Sequence, residues 1–296
     1  MEFKGCYVAI VTPFTRDNKV DEAGLRSNIE FLIERGVAGI VPCGTTGESA
    51  TLSWEEHTRV VDIAISAANR RVQVIAGAGS NNTVESIEAA RHAKKSGTDA
   101  ILCITPYYNK PTQEGLFQHF KAISTAVDIP MMLYNVPGRT GTNMLPETVE
   151  RLCELPTVAS IKEASGDVSQ ISEVHRRCGG RLDVLSGDDG LTLPVLACGG
   201  KGIVSVIGNI VPDRLSALVK MFFSGNLAEA LRMHEELLPL CKAAFFETNP
   251  SPIKAAMNYL GLAAGSLRLP MVEMSDGNKA KLLAVIDSMN LKTIKA

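Results

Sequence analysis

Val158-Ala159-Ser160-Ile161-Lys162-Glu163-Ala164 is a short apolar run with a lysine set inside it, and the rest of the chain is read outward from it. Its length and composition mark a buried strand. A lysine in such a place must be paired, stand at the mouth of a pocket, or lose its proton. Burial disfavours the ammonium, and carrying a lysine pKa from ~10.4 toward ~7 corresponds to roughly 4–5 kcal/mol of differential stabilisation. An amine in that state attacks carbonyls and forms Schiff bases. The plainer reading makes Lys162 a solvated edge residue or the partner of Glu163. Period-two alternation weakens that pairing, because neighbours in a strand point to opposite faces.

Similar apolar runs recur along the chain, each followed by a segment of helical period. Strands are expected at 7–13, 39–43, 73–77, 100–105, 131–135, 159–163, 184–187 and 203–207. Helices are expected at 22–35, 54–69, 84–96, 113–127, 146–154 and 212–223. Ser53-Trp54-Glu55-Glu56 has the form of a capping box, and Pro146 and Pro212 suit a first helical turn. Eight strand–helix alternations ending near residue 225 predict an α/β fold of the (β/α)8 TIM-barrel class rather than an open sheet. The catalytic barrel is expected over 1–225. Residues 226–296 are helical in pattern (227–242, 251–260, 277–289) and read as an appended C-terminal helical subdomain packed on the barrel.

The 296 residues are 45% hydrophobic and 21% charged, the composition of an ordinary globular protein. Thirty basic against 32 acidic side chains give a net charge of −2, which lacks the footprint of a nucleic-acid binder. No apolar stretch reaches the ~18 residues of a membrane span, no secretory leader pattern opens the chain, and a cytoplasmic location is the expectation. The 7 cysteines are scattered and read as reduced, buried small hydrophobes.

In such barrels chemistry gathers at the C-terminal ends of the strands. Those ends carry Gly44-Thr45-Thr46-Gly47-Glu48-Ser49, Pro106-Tyr107-Tyr108-Asn109, Tyr134-Asn135-Val136-Pro137-Gly138-Arg139, Lys162, Ser186-Gly187-Asp188-Asp189 and Gly202-Ile203-Val204-Ser205. The threonine loop offers backbone N–H groups and hydroxyls to a small anion, though two glycines around threonines are also an ordinary turn. Tyr134 ends the strand beside Lys162, where a phenol can move protons for a Schiff-base reaction; packing is the alternative for a strand tyrosine. Arg139 can fork onto a carboxylate or lie on the surface. The histidines are isolated, nucleotide loops and serine elbows are absent, and no metal or cofactor is expected.

Five stretches closely resemble the dihydrodipicolinate synthase family, within the pyruvate-dependent class I aldolases: 9–14 (Ala-Ile-Val-Thr-Pro-Phe), 44–52, 105–111, 134–141 and 161–164. The resemblance spans essentially the whole chain. It implies a lyase that condenses pyruvate with L-aspartate 4-semialdehyde in the diaminopimelate route to lysine. Lys162 would form the pyruvate imine, and Tyr134, Thr45 and Tyr108 the proton relay, with Tyr108 lent by a neighbouring subunit of a homotetramer built from tight dimers. Thr46 and the backbone at Val204 would help bind pyruvate, Arg139 would hold the semialdehyde carboxylate, and Gly187 would line the pocket opposite. Many members are inhibited by L-lysine at a subunit interface, and the matching positions are Ser49, Ala50, Trp54, His57, Asn81, Glu85 and Tyr107. Trp54 departs there from the histidine or other polar residue that inhibited members can carry.

Two other readings share these residues. A pyruvate-releasing aldolase, such as N-acetylneuraminate lyase or a keto-deoxy sugar acid aldolase, would keep Lys162, Tyr134 and the threonine loop, but not Arg139 in its Val-Pro-Gly-Arg-Thr setting. A non-catalytic keto-acid-binding protein would keep the barrel without turnover.

Overall fold

The structure, a computed structural model, describes residues 1–291. The last five residues of the expected helical subdomain lie outside the described ones. Eight parallel strands, β1 (Gly5–Ala9), β2 (Gly39–Val41), β3 (Gln73–Gly77), β4 (Ala100–Ile104), β5 (Met131–Asn135), β6 (Val158–Glu163), β7 (Asp183–Ser186) and β8 (Gly202–Ser205), close in chain order into a barrel. The seam is the β1–β8 pair, where Gly5 lies opposite Gly202. A Cβ on Gly202 would stand 2.0 Å from the Gly5 carbonyl oxygen, so the backbones meet there only because the side chain is missing.

The helices are α1 (Glu22–Glu34), α2 (Trp54–Ala68), α3 (Thr83–Ser96), α4 (Gln113–Ala126), the short α5 (Pro137–Thr140), α6 (Pro146–Leu152), α7 (Val168–Cys178), α8 (Thr192–Ala197) and α9 (Pro212–Phe223), followed by the C-terminal α10 (Leu227–Ala243), α11 (Ser251–Leu260) and α12 (Asp276–Ser288). The capping box forms as expected: Ser53 Oγ accepts from the Glu56 N–H, and the Glu56 carboxylate accepts from the Ser53 N–H. Pro146 and Pro212 each open a helix. Among the described residues no helix is long and apolar enough to cross a membrane.

Five strands stop short of the expected limits, β4 and β7 by a single residue and β1, β2 and β8 by two or more. β1 ends at Ala9 because the Asn209 side chain takes the Val11 N–H (3.2 Å) and the Thr12 hydroxyl donates to the Gly47 carbonyl (2.7 Å). β2 ends at Val41 and Cys43 turns into the left-handed region (φ 55°). β8 ends at Ser205 because the buried Asp189 carboxylate captures the N–H groups of Val206 and Ile207 (3.0 and 3.2 Å).

Side chains alternate between two cores. Tyr7, Ala9, Val41, Ile75, Leu102, Met132, Tyr134, Leu185 and Val204 fill the barrel, while a larger apolar layer lies between strands and helices. The C-terminal helices pack against this body: α10 lies on α9, α8 and α12, and α11 on α12 and the turn after β8.

One buried ion pair ties α11 to the loop after β2. Lys254 Nζ donates to Glu48 Oε1 (2.6 Å) and to the Ser266 carbonyl (2.7 Å), while Glu48 Oε2 accepts from the Arg268 N–H (3.1 Å). Both charged side chains are almost fully enclosed, at 2% and 1% exposure. The Arg268 guanidinium then forks onto Glu56 at 2.6 Å on both oxygens. Burial lowers the Lys254 pKa, and the neighbouring Glu48 charge works against that shift. Breaking such a pair from one side strands the other charge, so Lys254→Met is expected to cost roughly 3–5 kcal/mol, whereas the double change Glu48→Gln with Lys254→Met recovers much of it. Denaturant midpoints at constant m-value measure both; a single-variant loss under ~1 kcal/mol, or a double variant no better than the single, refutes the pairing as the tie.

His119 supplies a second expectation. It is buried between α3 and α4, with Nδ1 2.9 Å from the Thr83 hydroxyl and Nε2 enclosed without a partner. Burial holds its pKa down to about 4, against 6.5 for the free side chain. The unfolded chain therefore binds a proton between these values that the folded chain does not, and stability is lost as pH falls from 6.5 toward 4, by up to about 1.4 kcal/mol per pH unit for this group. His119→Asn should flatten that part of the stability profile; a slope equal to that of the unmodified protein would place the acid sensitivity elsewhere.

Candidate active site

Lys162 lies within the barrel. In register it stands opposite Tyr134 on one side and Leu185 on the other, so the three side chains share a face of the sheet. Its Nζ is 4.2 Å from the centre of the Tyr134 ring, and the residue is 5% exposed. Among the described residues two lysines are buried, and they differ in their surroundings. Lys254 has its carboxylate; Lys162 takes part in none of the ion pairs among the described residues. Its neighbours are an aromatic ring and two small residues: a Cβ on Gly187 would fall 3.1 Å from Lys162 Cε and 2.7 Å from the Ala164 methyl. Glycine at 187 is what leaves room for the lysine stem.

Glu163 faces away from this amine, as the alternation requires. Its carboxylate accepts from the Ser165 N–H (2.7 Å) and from the Asn135 amide (3.1 and 3.2 Å), outside the barrel. Burial raises its pKa, and these hydrogen bonds work against the rise.

Beside the lysine opens a cavity of ≈ 530 Å³. Thr45, Tyr134, Arg139, Thr140, Glu48 and Asn249 line it, and Tyr134 is the wall it shares with Lys162. Thr46, Gly187, Val204 and Lys162 do not line this cavity. Thr46 is buried with its hydroxyl accepting from the Asn249 amide (3.0 Å), and Val204 is buried in the barrel interior. Arg139 sits on α5, and its Nη2 donates to the Asn249 carbonyl (3.2 Å). Tyr108 stands apart from all of these. It is 88% exposed with φ 72°, so a single chain does not bring it to Lys162.

Six of the seven positions matched to lysine inhibition line the same cavity: Ser49, Ala50, Trp54, His57, Glu85 and Tyr107. Asn81 does not; its carbonyl accepts from the Asn109 amide (2.9 Å). The Trp54 and His57 rings meet edge to face, centres 5.7 Å apart. Burial lowers the His57 pKa to about 4, so its ring is neutral at pH 7. The Glu85 carboxylate accepts from the Ser80 hydroxyl (2.7 Å) and the Asn82 amide (3.2 Å).

The sequence reading passed over Asn249 and Lys254. The signal was present in Asn249-Pro250-Ser251-Pro252-Ile253-Lys254, where a lysine interrupts an apolar helix much as Lys162 interrupts an apolar strand.

Comparison with known proteins finds matches over nearly the whole chain. The model of the dihydrodipicolinate synthetase family matches residues 2–289. The 4-hydroxy-tetrahydrodipicolinate synthase of Pelobacter propionicus is 53% identical over 289 residues, which cover 98% of this chain and 99% of that protein. The crystal structure of dihydrodipicolinate synthase from Aquifex aeolicus superposes with a TM-score of 0.96 at 42% identity, covering 98% of this chain and 99% of that one. The enzyme from Cyanidioschyzon merolae, solved with lysine bound, gives 0.95 at 40% identity, with 98% and 99% covered. A barrel closed in the same order, a buried lysine facing a tyrosine, and matches running from end to end lead to one conclusion: the chain belongs to the dihydrodipicolinate synthetase family.

Proposed function

We propose that this chain is a 4-hydroxy-tetrahydrodipicolinate synthase, a class I aldolase-type lyase that condenses pyruvate with L-aspartate 4-semialdehyde, and that Lys162 carries the reaction. The observation that supports the role of Lys162 most directly is an amine held inside the barrel against the Tyr134 ring, free of any ion pair among the described residues. An amine held by no carboxylate is free to add to a carbonyl carbon.

The steps follow from that amine. Lys162 Nζ adds to the keto carbon of pyruvate, and loss of water gives the protonated imine. Removal of a methyl proton makes an enamine, whose carbon attacks the aldehyde. The amine of the semialdehyde then adds to the imine carbon, closes the ring and releases Lys162. Tyr134, Thr45 and Tyr108 relay the protons, Thr46 and the backbone at Val204 receive the pyruvate carboxylate, Gly187 leaves space beside the lysine, and Arg139 holds the carboxylate of the second substrate. The outward position of Tyr108 suits a residue lent to another copy, and on this reading the enzyme works in the cytoplasm as a homotetramer of tight dimers.

Intact mass after pyruvate and borohydride tests the chemistry. A pyruvate adduct is expected, lost in Lys162→Ala, together with turnover when aspartate semialdehyde is added. Tyr108→Phe should lower turnover while leaving the adduct largely intact. No adduct in the unmodified protein would remove the mechanism; an adduct without turnover on the semialdehyde would move the chain to another pyruvate aldolase or a keto-acid sensor.

The proposed site for L-lysine is the part of the cavity lined by Glu85 and His57, where the Glu85 carboxylate can take an ammonium and the neutral His57 ring a hydrogen bond. Initial rates should fall with added L-lysine, and Glu85→Ala should raise the half-inhibiting concentration about ten-fold or more, the size of a lost charged hydrogen bond. Rates indifferent to millimolar L-lysine would count against an inhibitor site here.

A further inference from the structure

We propose that Asn249 is a positioning residue for the condensation: it orients the Thr46 hydroxyl through its amide and the Arg139 guanidinium through its carbonyl. The inference rests on the reading of Thr46 and Arg139 as the groups that receive the two substrate carboxylates.

Asn249 lies 3% exposed in the connection between α10 and α11, and reaches the loop after β2 from 203 residues away. Its Nδ2 donates to Thr46 Oγ1 at 3.0 Å, and its backbone oxygen accepts from Arg139 Nη2 at 3.2 Å. A threonine hydroxyl has one hydrogen and two lone pairs. With a lone pair taken by the amide, the Thr46 O–H remains a donor, and a keto-acid carboxylate is an acceptor only. The amide thus selects the hydroxyl orientation that an anion needs. The remaining side-chain polar atom, Oδ1, is enclosed without a partner, and the two contacts just described run to Thr46 and Arg139, so the proposed action of Asn249 is through those two groups.

The placement of Asn249 is fixed from both ends of the same loop. Glu48, two residues beyond Thr46, is clamped by Lys254, five residues beyond Asn249. Thr46 and Asn249 therefore belong to two segments pinned together at neighbouring points, which leaves the amide little freedom to leave the hydroxyl.

The test is a kinetic cycle in the full-length protein. N249A should raise KM for pyruvate about ten-fold with kcat changed much less, the signature of lost substrate binding. N249D should do worse, because its carboxylate would draw the Thr46 O–H to itself and set a negative charge beside the substrate's own. T46V should raise the same KM, and N249A combined with T46V should cost little beyond T46V alone. N249S, whose hydroxyl can still donate, should recover part of the loss and serves as the working variant if N249A fails to fold. An unchanged pyruvate KM in N249A, or losses at 249 (in N249A or N249S) and at 46 that simply multiply, would overturn the assignment. Borohydride trapping of the unmodified protein separates the two levels: an adduct with a silent N249A removes this inference alone, and no adduct removes the functional reading and this inference with it.

Discussion

Between β5 and β6 the register slips by one residue. Met131 pairs with Val158, but Met132 pairs with Ser160, which leaves Ala159 over. A strand flips every side chain when its register moves by one, so this slip decides which residues face the barrel. Had the pairing run on unbroken from Met131, Tyr134 would face Ile161 and Lys162 would stand opposite Asn135, among the polar groups outside the barrel. With the slip, Lys162 meets Tyr134 inside, and Glu163 meets Asn135 outside. The site thus depends on one extra residue at the start of a six-residue strand. The same slip keeps the acid from quenching the amine.

Around that lysine the C-terminal helices are structural parts of the candidate site, since they supply what the barrel loops lack. The Gly44–Ser49 stretch carries its own turn hydrogen bonds, yet its conformation includes Cys43 and Glu48 in the left-handed region, at φ 55° and 51°. Non-glycine residues hold such angles only when their surroundings over-determine them. Here the surroundings are Lys254, Arg268 and Asn249, all from beyond residue 245. A buried ion pair is a weak source of net stability, and here it joins α11 to the loop after β2.

Much of this architecture was legible because barrel strands are buried on both faces and read as apolar runs against amphipathic helices. β3 and β5 fall at their expected limits. The misplaced ends of β1 and β8 were not legible, because Asn209 and Asp189 take their N–H groups from far along the chain. Helices α7 and α8 received no bounds for a different reason. α7 buries only Ile171, Val174 and Cys178 in a strongly polar segment, and α8 is six residues long with Pro194 inside. Lys162 stood out because its charge contradicted its local pattern. Asn249 did not, because asparagine before proline is ordinary turn sequence. What gives it significance is a contact 203 residues away.

Half of the eight non-glycine positions with positive φ among the described residues lie at the rim, while Asn18, Asn69, Arg70 and Asn290 lie elsewhere. Cys43, Glu48, Tyr108 and Lys110 all have positive φ, and all follow the C-terminal ends of β2 and β4. At the seam near the opposite end of the strands, close approach is met by glycine at Gly5 and Gly202 instead. The difference is physical: at the seam glycine supplies both the close approach at Gly202 and the positive φ of Gly5 (110°), whereas a rim must turn sharply and still present functional groups. The cost falls unevenly. Glu48 is held by a buried cation and a backbone N–H, while Tyr108 is held in the left-handed region with its ring almost wholly in solvent. An exposed aromatic side chain on strained backbone gains little in an isolated chain; packing against a second copy would supply apolar burial to offset that cost. The proposed relay and the proposed assembly therefore answer the same imbalance, and Tyr108 is where they meet.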